Sequence, residues 1–437
     1  MHTQSGVMIN PWSSAQYFDY EKLIKEFGIQ RPDNYFDYFM FRRHLIFGQR
    51  GIDYLEYSIK NKIKFNAMTG LMPSGKMHLG NKLTIDQIIY FQSLGADVYI
   101  AVADLESYAT RGISFDKARN IAINEYIANY ISMGLKPCRI YFQSENYDTQ
   151  SLSFVLSNET NMSELKSIYG LTDSSSILHV NAPIIQAADV LHTQLGHLGG
   201  PRATIVPVGI DQDPHIRLMR DIAKRLRVYN VKIEDNKISI YIKGSDDPAD
   251  KINSAISVLG NSGYECMPNY EYRAIYVKNS TGEDKIKIDM MLAIEESRIN
   301  DYAFIEPSAT FQKLETGLKG GKMSSSVPDS LISLNDTGEE ATRKIKHAVT
   351  GGKQTIEEQK KYGGNPDICP VFELYKYHNS NDKYVTRVYE ECKGGVRMCG
   401  PCKIEAAENI SGMLKTLAEK KDESLGKLDD YLIKRSS

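Results

Sequence analysis

Two patterns of apolar positions alternate along the first half of the chain. DVYIAVAD (97–104) is a nearly unbroken apolar run, which is typical of a parallel strand buried on both faces. Segments 82–95 and 115–134 carry apolar residues at helical spacing, and RIYFQS (139–144) is a further short strand-like run. Strands and helices in this order predict an α/β fold, a Rossmann-type doubly wound parallel sheet.

The same order returns further along, and helices are predicted before it. ATIVPVG (203–209) has the composition of a buried strand, and 213–227 is an amphipathic helix. Before the first unit, the aromatic-rich stretches 17–28 and 35–59 predict helices, the second interrupted by glycines, and KFNAM (64–68) is a short run before a turn. We therefore expect one Rossmann-type domain behind an N-terminal extension.

The pattern changes in the middle of the chain. ISIYI (238–242), YRAIYV (272–277) and KIKIDM (285–290) alternate with period two around a helical stretch at 248–260. This predicts a small α/β insertion. From residue 336 onward the chain has helical periodicity. The predicted divisions are an N-terminal extension (1–62), the first part of the Rossmann-type domain (63–230), the α/β insertion (231–305), the Rossmann-type domain resumed (306–335) and a C-terminal helical domain (336–437).

Composition narrows the class of protein only slightly. The chain has 437 residues, of which 41% are hydrophobic and 25% are charged, as in an ordinary globular protein. No apolar stretch approaches the ~20 residues of a membrane span, and the N-terminus lacks the layout of a secretion signal. Six cysteines in so long a chain favour a reducing cytoplasm over a disulfide framework. The net charge of −2 neither predicts nor excludes a nucleic-acid partner.

The first segment with candidate chemistry is PSGKMHLGN (73–81), which follows a strand and opens a helix. Gly75 and Gly80 let the backbone approach a ligand closely, and a helix N-terminus offers free N–H groups to a phosphate. His78 adds a donor at the same place. The alternative is a structural strand–helix turn with a buried histidine.

The second segment is GGKMSSS (320–326). Lys322 supplies a mobile positive charge, and Ser324 and Ser325 supply hydroxyl donors, so the loop suits a triphosphate that is later released. The alternative is a solvated Gly/Ser loop.

Together, in this order and separation, the two segments resemble the HIGH and KMSKS signatures of class I aminoacyl-tRNA synthetases. Asn81 stands where many members carry a second histidine. The resemblance implies an ATP site, with residues transferred from both signatures: Gly70, Ser74, Gly75, His78, Gly80, Asn81, Lys322, Met323 and Ser324. It implies catalytic roles for His78, Lys322, Ser324 and Ser325 in stabilising the reacting phosphates. Mg²⁺ is expected with ATP, held by the phosphates, with no protein side chain as a metal ligand.

Further segments resemble the tryptophanyl-tRNA synthetases of archaeal and eukaryotic type. VGIDQDPHIRLMRDIA (208–223) matches their GxDQ strand–loop–helix, and APIIQAADVL (182–191) matches the pocket helix of the tryptophan and tyrosine enzymes. The resemblance implies ligation of L-tryptophan to tRNA(Trp), a homodimer and a cytoplasmic location. Tyrosyl-tRNA synthetase is the nearest alternative, and a catalytically silent paralogue that binds RNA or protein is another.

The same resemblance transfers an amino-acid pocket. Gln186 and Gln212 are assigned to the α-amino and carboxylate end, and Glu106 to a pocket carboxylate whose alternative is a solvated strand-end group. Asp189 lies one helical turn beyond Gln186, so both can face one pocket; its alternative is a salt bridge or cap on the helix face. Met68 and Ala101 replace a Tyr and a Gln with which eukaryotic-type enzymes contact the indole nitrogen. We therefore expect Asp189 to accept the indole N–H.

VYEECKGGVRMCGPCK (388–403) allows three interpretations. CGPC matches a redox pair, Cys392, Cys399 and Cys402 are three candidate zinc ligands, and the segment can be a Gly/Pro turn between helices. A redox pair needs a preceding strand, and zinc needs a fourth ligand, for which Cys369 and His378 are distant candidates. The turn is the favoured interpretation.

Overall fold

The structure is a computed structural model that describes residues 19–32, 35–300, 302–321, 323 and 328–433. Its helices are α1 Tyr20–Phe27, α2 Phe39–Arg42, α3 Asp53–Lys60, α4 Leu79–Ser93, α5 Asp104–Arg111, α6 Phe115–Ile121, α7 Ala128–Ser132, α8 Tyr147–Ser157, α9 Met162–Tyr169, α10 Ile177–Leu191, α11 Asp213–Leu226, α12 Ala249–Asn261, α13 Lys285–Ile299, α14 Gly338–Lys346, α15 Ile356–Tyr362, α16 Pro370–His378, α17 Asp382–Lys393 and α18 Cys399–Gly426. A π-helical turn joins α6 to α7, so 115–132 is one continuous helix, close to the predicted 115–134.

Ten strands form two sheets in the described part of the chain. They are β1 Ile46–Arg50, β2 Asn66–Leu71, β3 Asp97–Val102, β4 Arg139–Phe142, β5 Thr204–Gly209, β6 Tyr229–Glu234, β7 Lys237–Ile242, β8 Cys266–Asn269, β9 Ala274–Val277 and β10 Ser308–Gln312. The larger sheet has the order β1-β10-β5-β2-β3-β4, and the smaller has the order β6-β7-β9-β8.

The larger sheet confirms the predicted Rossmann-type topology. β10, β5, β2, β3 and β4 are parallel, and each predicted strand of the two α/β units is present. From β2 the chain continues on one side to β3 and β4, and later returns on the other side to β5 and β10. The strand order therefore reverses between β2 and β5, which is where ligands bind in open α/β sheets.

One strand of this sheet contradicts the sequence prediction. Residues 35–59 were expected to be helical, but they form α2, β1 and α3. β1 pairs antiparallel with β10 at the edge of the sheet. The predicted extension 1–62 therefore contributes a strand to the catalytic sheet.

The smaller sheet begins at Tyr229, just before the predicted start of the insertion at 231, and has its own hydrophobic core with α12. KIKIDM (285–290), predicted as a strand, is instead the start of α13. One face of α13 packs on the insertion through Ile288 and Leu292, and the other packs through Met290 and Ala293 in a cluster with Ile305 and with Tyr54 of α3. A helix shared by both cores joins the insertion firmly to the catalytic domain.

The C-terminal helices form one continuous apolar core with a face of the larger sheet. α18 packs along α14 and also against α7, where the Ser132 and Ser424 hydroxyls lie 3.0 Å apart. Beyond α18 the chain returns to β4. There Ile140 donates to the Tyr431 carbonyl and accepts from the Ile433 N–H, both at 2.9 Å. No helix of the described residues is long and apolar enough to cross a membrane.

Candidate active site

A cleft of about 840 Å³ opens at the carboxyl ends of β2, β3 and β5, where the strand order reverses. Its volume lies within the ~300–1,000 Å³ usual for small-molecule sites. Six residues proposed from the sequence line it: Met68, Gly70, Glu106, Gln186, Asp189 and Gln212. Parallel strands bring these positions together although they are far apart in sequence.

Glu106 and Gln186 form one polar contact of the cleft. Glu106 lies in the first turn of α5, a few residues beyond the end of β3, and accepts a hydrogen bond of 2.9 Å from Nε2 of Gln186. Burial raises the pKa of Glu106, and the hydrogen bond from Gln186 opposes that rise. Glu106 is therefore not a solvated strand-end carboxylate.

Asp189 is the centre of a second polar contact. It is 4% exposed on α10, and its two oxygens accept from the Tyr141 hydroxyl at 2.9 Å and from Nε2 of Gln143 at 2.5 Å. Burial raises the pKa of Asp189 to about 7, against the lowering effect of these two donors. The sequence alternatives of a salt bridge or a cap do not describe it.

Apolar side chains lie between these contacts. Met68 on β2 and Ala101 on β3 are almost fully buried, and both line the cleft with Val206, Ile216 and Met219. A flat aromatic ring can pack against such a surface, since methionine adapts its shape to its neighbours.

The first signature segment lies at the N-terminus of α4. His78 is the N-cap residue, and its backbone N–H donates to Oδ1 of Asn81 at 3.1 Å. A side chain at Gly80 would approach the His78 ring to 3.0 Å, so the ring would have to shift by a few tenths of an ångström to accommodate it. Asn81 thus caps the helix. Thr84, one turn further along α4, lines the cleft.

The second signature segment reaches the first through Met323. This residue is 4% exposed, and its sulfur lies 3.9 Å from the position of a Cβ built on Gly80. Nearby, the Leu79 N–H donates to the Ile332 carbonyl at 3.0 Å. Met323 lies beside the N-terminus of α4, and Lys322, Ser324 and Ser325 lie outside the described residues.

The remaining ATP-site candidates flank this region. Gly70 lines the cleft, whereas Ser74 is exposed and Gly75 is partly exposed on the turn between β2 and α4. His78, Gly80 and Asn81 belong to the helix terminus rather than to the lining of the cleft.

Sequence reasoning missed several residues of the cleft. Gln143, Arg111, His179 and His215 also line it. Gln143 directly follows β4, so its place at the carboxyl end of a parallel strand could have identified it. Burial lowers the pKa of His215 to about 3, and its ring nitrogen lies 2.9 Å from the Tyr169 hydroxyl.

The cysteine segment joins two helices, as favoured from the sequence, although Cys399–Cys402 forms the first turn of α18 rather than part of the turn. The structure brings Cys369, distant in sequence, to Cys392, Cys399 and Cys402 around one small cavity of about 20 Å³. His378 is instead bonded to Glu315. Burial raises the pKa of Cys392 to about 11. Within the described ranges, no three His, Cys, Asp or Glu side chains are placed to hold one metal ion.

The fold and this site are those of a nucleotide-dependent synthetase with two signature segments at one end of a Rossmann-type sheet. The chain belongs to the family of tRNA synthetases class I (W and Y), which it matches over residues 60–251 and 282–415. The unmatched residues between them fall inside the predicted insertion.

Individual relatives are similar over nearly their whole length. The tryptophan–tRNA ligase of Thermoplasma volcanium is 60% identical over 97% of this chain and 100% of that protein. The tryptophan–tRNA ligase of Methanosarcina acetivorans is 37% identical over 97% of this chain and 98% of that protein. The crystal structure of tryptophanyl-tRNA synthetase from Aeropyrum pernix K1 is similar with a TM-score of 0.75 and 32% identity, covering 97% of this chain and 99% of that one.

Proposed function

We propose that the chain ligates L-tryptophan to tRNA(Trp) through a tryptophanyl-adenylate, with ATP converted to AMP and pyrophosphate. The observation that carries this proposal is the cleft at the reversal of strand order, which has an apolar interior, polar contacts at Glu106 and Asp189, and the helix N-terminus of the first signature beside it. Relatives named tryptophan–tRNA ligase at up to 60% identity support tryptophan over tyrosine.

In the first step, a carboxylate oxygen of tryptophan attacks the α-phosphorus of ATP, and the bond to the bridging oxygen breaks to release pyrophosphate. In the second step, a ribose hydroxyl of the tRNA attacks the carbonyl carbon of the adenylate, and AMP leaves. Neither step needs a covalent bond to the protein. Catalysis therefore depends on positioning and on stabilising the negative charge that develops on the phosphates.

The N-terminus of α4 binds the phosphates of ATP. The positive end of the helix dipole favours an anion, and Gly80 leaves room beside His78. Lys322, Ser324 and Ser325 of the second signature hold the departing pyrophosphate. Mg²⁺ arrives with ATP and is bound by the phosphate oxygens.

The polar side chains of the cleft bind the amino acid. Gln186, Gln212 and the Glu106 carboxylate bind the ammonium and carboxylate groups, since Gln186 already donates to Glu106 and fixes its position. The apolar wall holds the ring. Met68 offers no partner to a phenol oxygen, so tyrosine would leave part of its hydroxyl unsatisfied at a cost of about 1–3 kcal/mol.

A homodimer in the cytoplasm is part of the proposal. Tyr147, Phe154 and Ile177 are each at least three-quarters exposed, on α8 and the adjoining start of α10. Apolar patches of this kind mark protein interfaces. The cysteines of the described chain are free thiols, which suits a reducing compartment.

ATP–pyrophosphate exchange with each of the twenty amino acids tests the proposal. We expect exchange with tryptophan and at least a hundredfold less with tyrosine. Greater exchange with tyrosine would establish the tyrosyl alternative, and no exchange with any amino acid would establish a silent paralogue. Charging of tRNA(Trp) transcript tests the second step.

A second experiment tests the pocket. Asp189→Ala is expected to reduce tryptophan activation sharply and leave the KM for ATP nearly unchanged. Full activity in this variant would show that the cleft assignment is wrong.

A further inference from the structure

The amino-acid cleft contains a buried hydrogen-bond acceptor that has no partner in the described chain. Gln143 is 1% exposed, directly follows β4 and lines the cleft. Its Nε2 donates to Asp189, whereas its Oε1 accepts no hydrogen bond from any described residue. A buried amide oxygen without a donor is costly, and native structures rarely keep one unless a ligand or water completes it.

The orientation of this amide is fixed by its neighbours. Nε2 of Gln143 donates to Asp189, so the amide oxygen is turned away from that carboxyl group. Tyr141 occupies the other carboxylate oxygen at 2.9 Å and holds Asp189 in place. Gln150 donates to the Gln143 backbone carbonyl at 2.8 Å, which fixes the main chain of the same residue. The free oxygen is therefore the part of Gln143 left for a ligand.

The side chains of the cleft wall on β2 and β3 are mostly apolar. Met68 and Ala101 carry no hydrogen-bonding side chain, and Gln186 already donates to Glu106. Each oxygen of Asp189 already accepts one donor, whereas Oε1 of Gln143 accepts none from the described residues. The indole ring of tryptophan has a single N–H donor and no acceptor, so it needs one free acceptor on the protein.

We infer that Oε1 of Gln143 accepts the indole N–H of the bound tryptophan. In this assignment, which rests on the proposed function, Asp189 is a positioning residue that holds the Gln143 amide with its oxygen toward the substrate. The expectation that Asp189 itself contacts the indole is replaced by an acceptor one hydrogen bond away.

Substrates with and without the donor provide the test. The sulfur isostere β-(benzothien-3-yl)alanine has nearly the shape of tryptophan and no N–H. In ATP–pyrophosphate exchange, wild type is expected to prefer tryptophan over the isostere by about tenfold or more in kcat/KM. Gln143→Met removes the acceptor and keeps a side chain of similar length. It is expected to lower kcat/KM for tryptophan about tenfold and to change that for the isostere less than threefold, so that the preference disappears.

Tyr141→Phe is the matched control. It removes the other donor to Asp189 and leaves the Gln143 amide intact. The logarithm of the ratio of kcat/KM for tryptophan to kcat/KM for the isostere should therefore keep at least half of its wild-type value. If Gln143→Met keeps the full preference, the inference is overturned and Asp189 is the direct acceptor.

A second variant distinguishes a folding defect from loss of the hydrogen-bond acceptor. If Gln143→Met is inactive with both substrates, Gln143→Glu, which keeps an acceptor oxygen, decides: retained preference for tryptophan supports the inference, and lost preference overturns it. A wild type that does not activate tryptophan would refute the proposed function instead, before any variant is compared.

Discussion

Glu315 and His378 lie face to face in the interior, with His378 Nε2 2.9 Å from Glu315 Oε1 and both side chains 1% exposed. Glu315 follows β10, and its backbone carbonyl accepts from the Met323 N–H at 3.2 Å, whereas His378 ends α16. Glu373, also on α16, accepts from the N–H of neighbouring Thr316 at 2.7 Å. The base of the second signature loop is thus hydrogen-bonded to the C-terminal helices.

His378→Ala should destabilise the protein and displace this loop. The substitution leaves the Glu315 carboxyl group buried without its partner, which costs about 1–3 kcal/mol of unfolding free energy. Adenylate formation should slow more than tryptophan binding weakens, as measured by single-turnover kinetics and calorimetry. His347→Ala, at an exposed histidine on the end of α14, is the control. Equal losses in both variants would contradict the role of the pair.

Lys322→Ala should lower the rate of adenylate formation by about 10²–10³. Its charge is needed mainly when pyrophosphate begins to leave, so the Kd for tryptophan should change little. Single-turnover formation of adenylate and equilibrium binding separate the two effects. A collapse of tryptophan affinity with normal turnover at saturation would show that the loop has another role.

Acid should destabilise the protein through two buried histidines. Burial lowers the pKa of His192 to about 4 and that of His215 to about 3, so between pH 6.5 and 4 the unfolded chain binds protons that the native state does not. Each histidine then lowers the unfolding free energy by about 1.4 kcal/mol per pH unit.

Asp189 has the opposite effect on the pH dependence of stability. Its pKa is raised to about 7, so from pH 7 to 4 the native state holds a proton that the unfolded state releases, and stability rises as pH falls. Asp189→Asn should therefore lose stability more steeply than wild type over this range. Chemical unfolding at each pH gives the comparison, and parallel curves would contradict it.

The insertion should be dispensable for amino-acid activation, provided that the deletion spares α13. Arg227 is 8% exposed and pairs with Asp289 and Glu296, both on α13, at 2.9 Å. Removing 231–305 leaves this guanidinium buried without partners, a loss of about 3–5 kcal/mol. Removing only 231–281 retains both partners.

Melting curves and pyrophosphate exchange distinguish the two deletions. The shorter one is expected to fold and to activate tryptophan within about threefold of wild type. A folded but inactive shorter deletion would contradict the prediction, and an effect confined to tRNA charging would indicate an RNA-side role for the insertion.

Phe154→Asp should convert a dimer into a monomer. Phe154 is 86% exposed on α8, so a charge there does not disturb the core but opposes burial in an interface. Light scattering at micromolar concentration measures the mass. Val396→Asp is the control, at a residue that is also about three-quarters exposed but lies between α17 and α18. A monomeric wild type, or equal dissociation of both variants, would contradict the proposed interface.

The predictability of the fold depended on the length and clarity of each apolar pattern. β3 was predicted because residues 98–102 are all buried and therefore all carry apolar or aromatic side chains. β1 was missed because IFGQR is a short edge strand among aromatic residues that also suit a helix. In α13 a six-residue window with period two concealed a helix of 15 residues. A short window does not distinguish the period of a helix from that of a strand.

The residues that share the cleft were predictable where helical spacing determined their placement. Gln186 and Asp189 are three residues apart on α10, and both line the cleft as expected. The free oxygen of Gln143 was not predictable, because it depends on a contact with Asp189 across 46 residues of sequence. The gathering of Cys369 with three later cysteines likewise results from the packing of α16, α17 and α18.

The return of the chain from α18 to β4 has a consequence for the order of folding. The exposed edge of β4 would otherwise present unpaired backbone groups, which can pair with another molecule. Ile140 receives its partners from Tyr431 and Ile433, which the ribosome adds long after β4 has been synthesised. During translation the sheet therefore has an open edge that holding chaperones can protect, and a truncation before residue 431 should make the purified protein prone to aggregate.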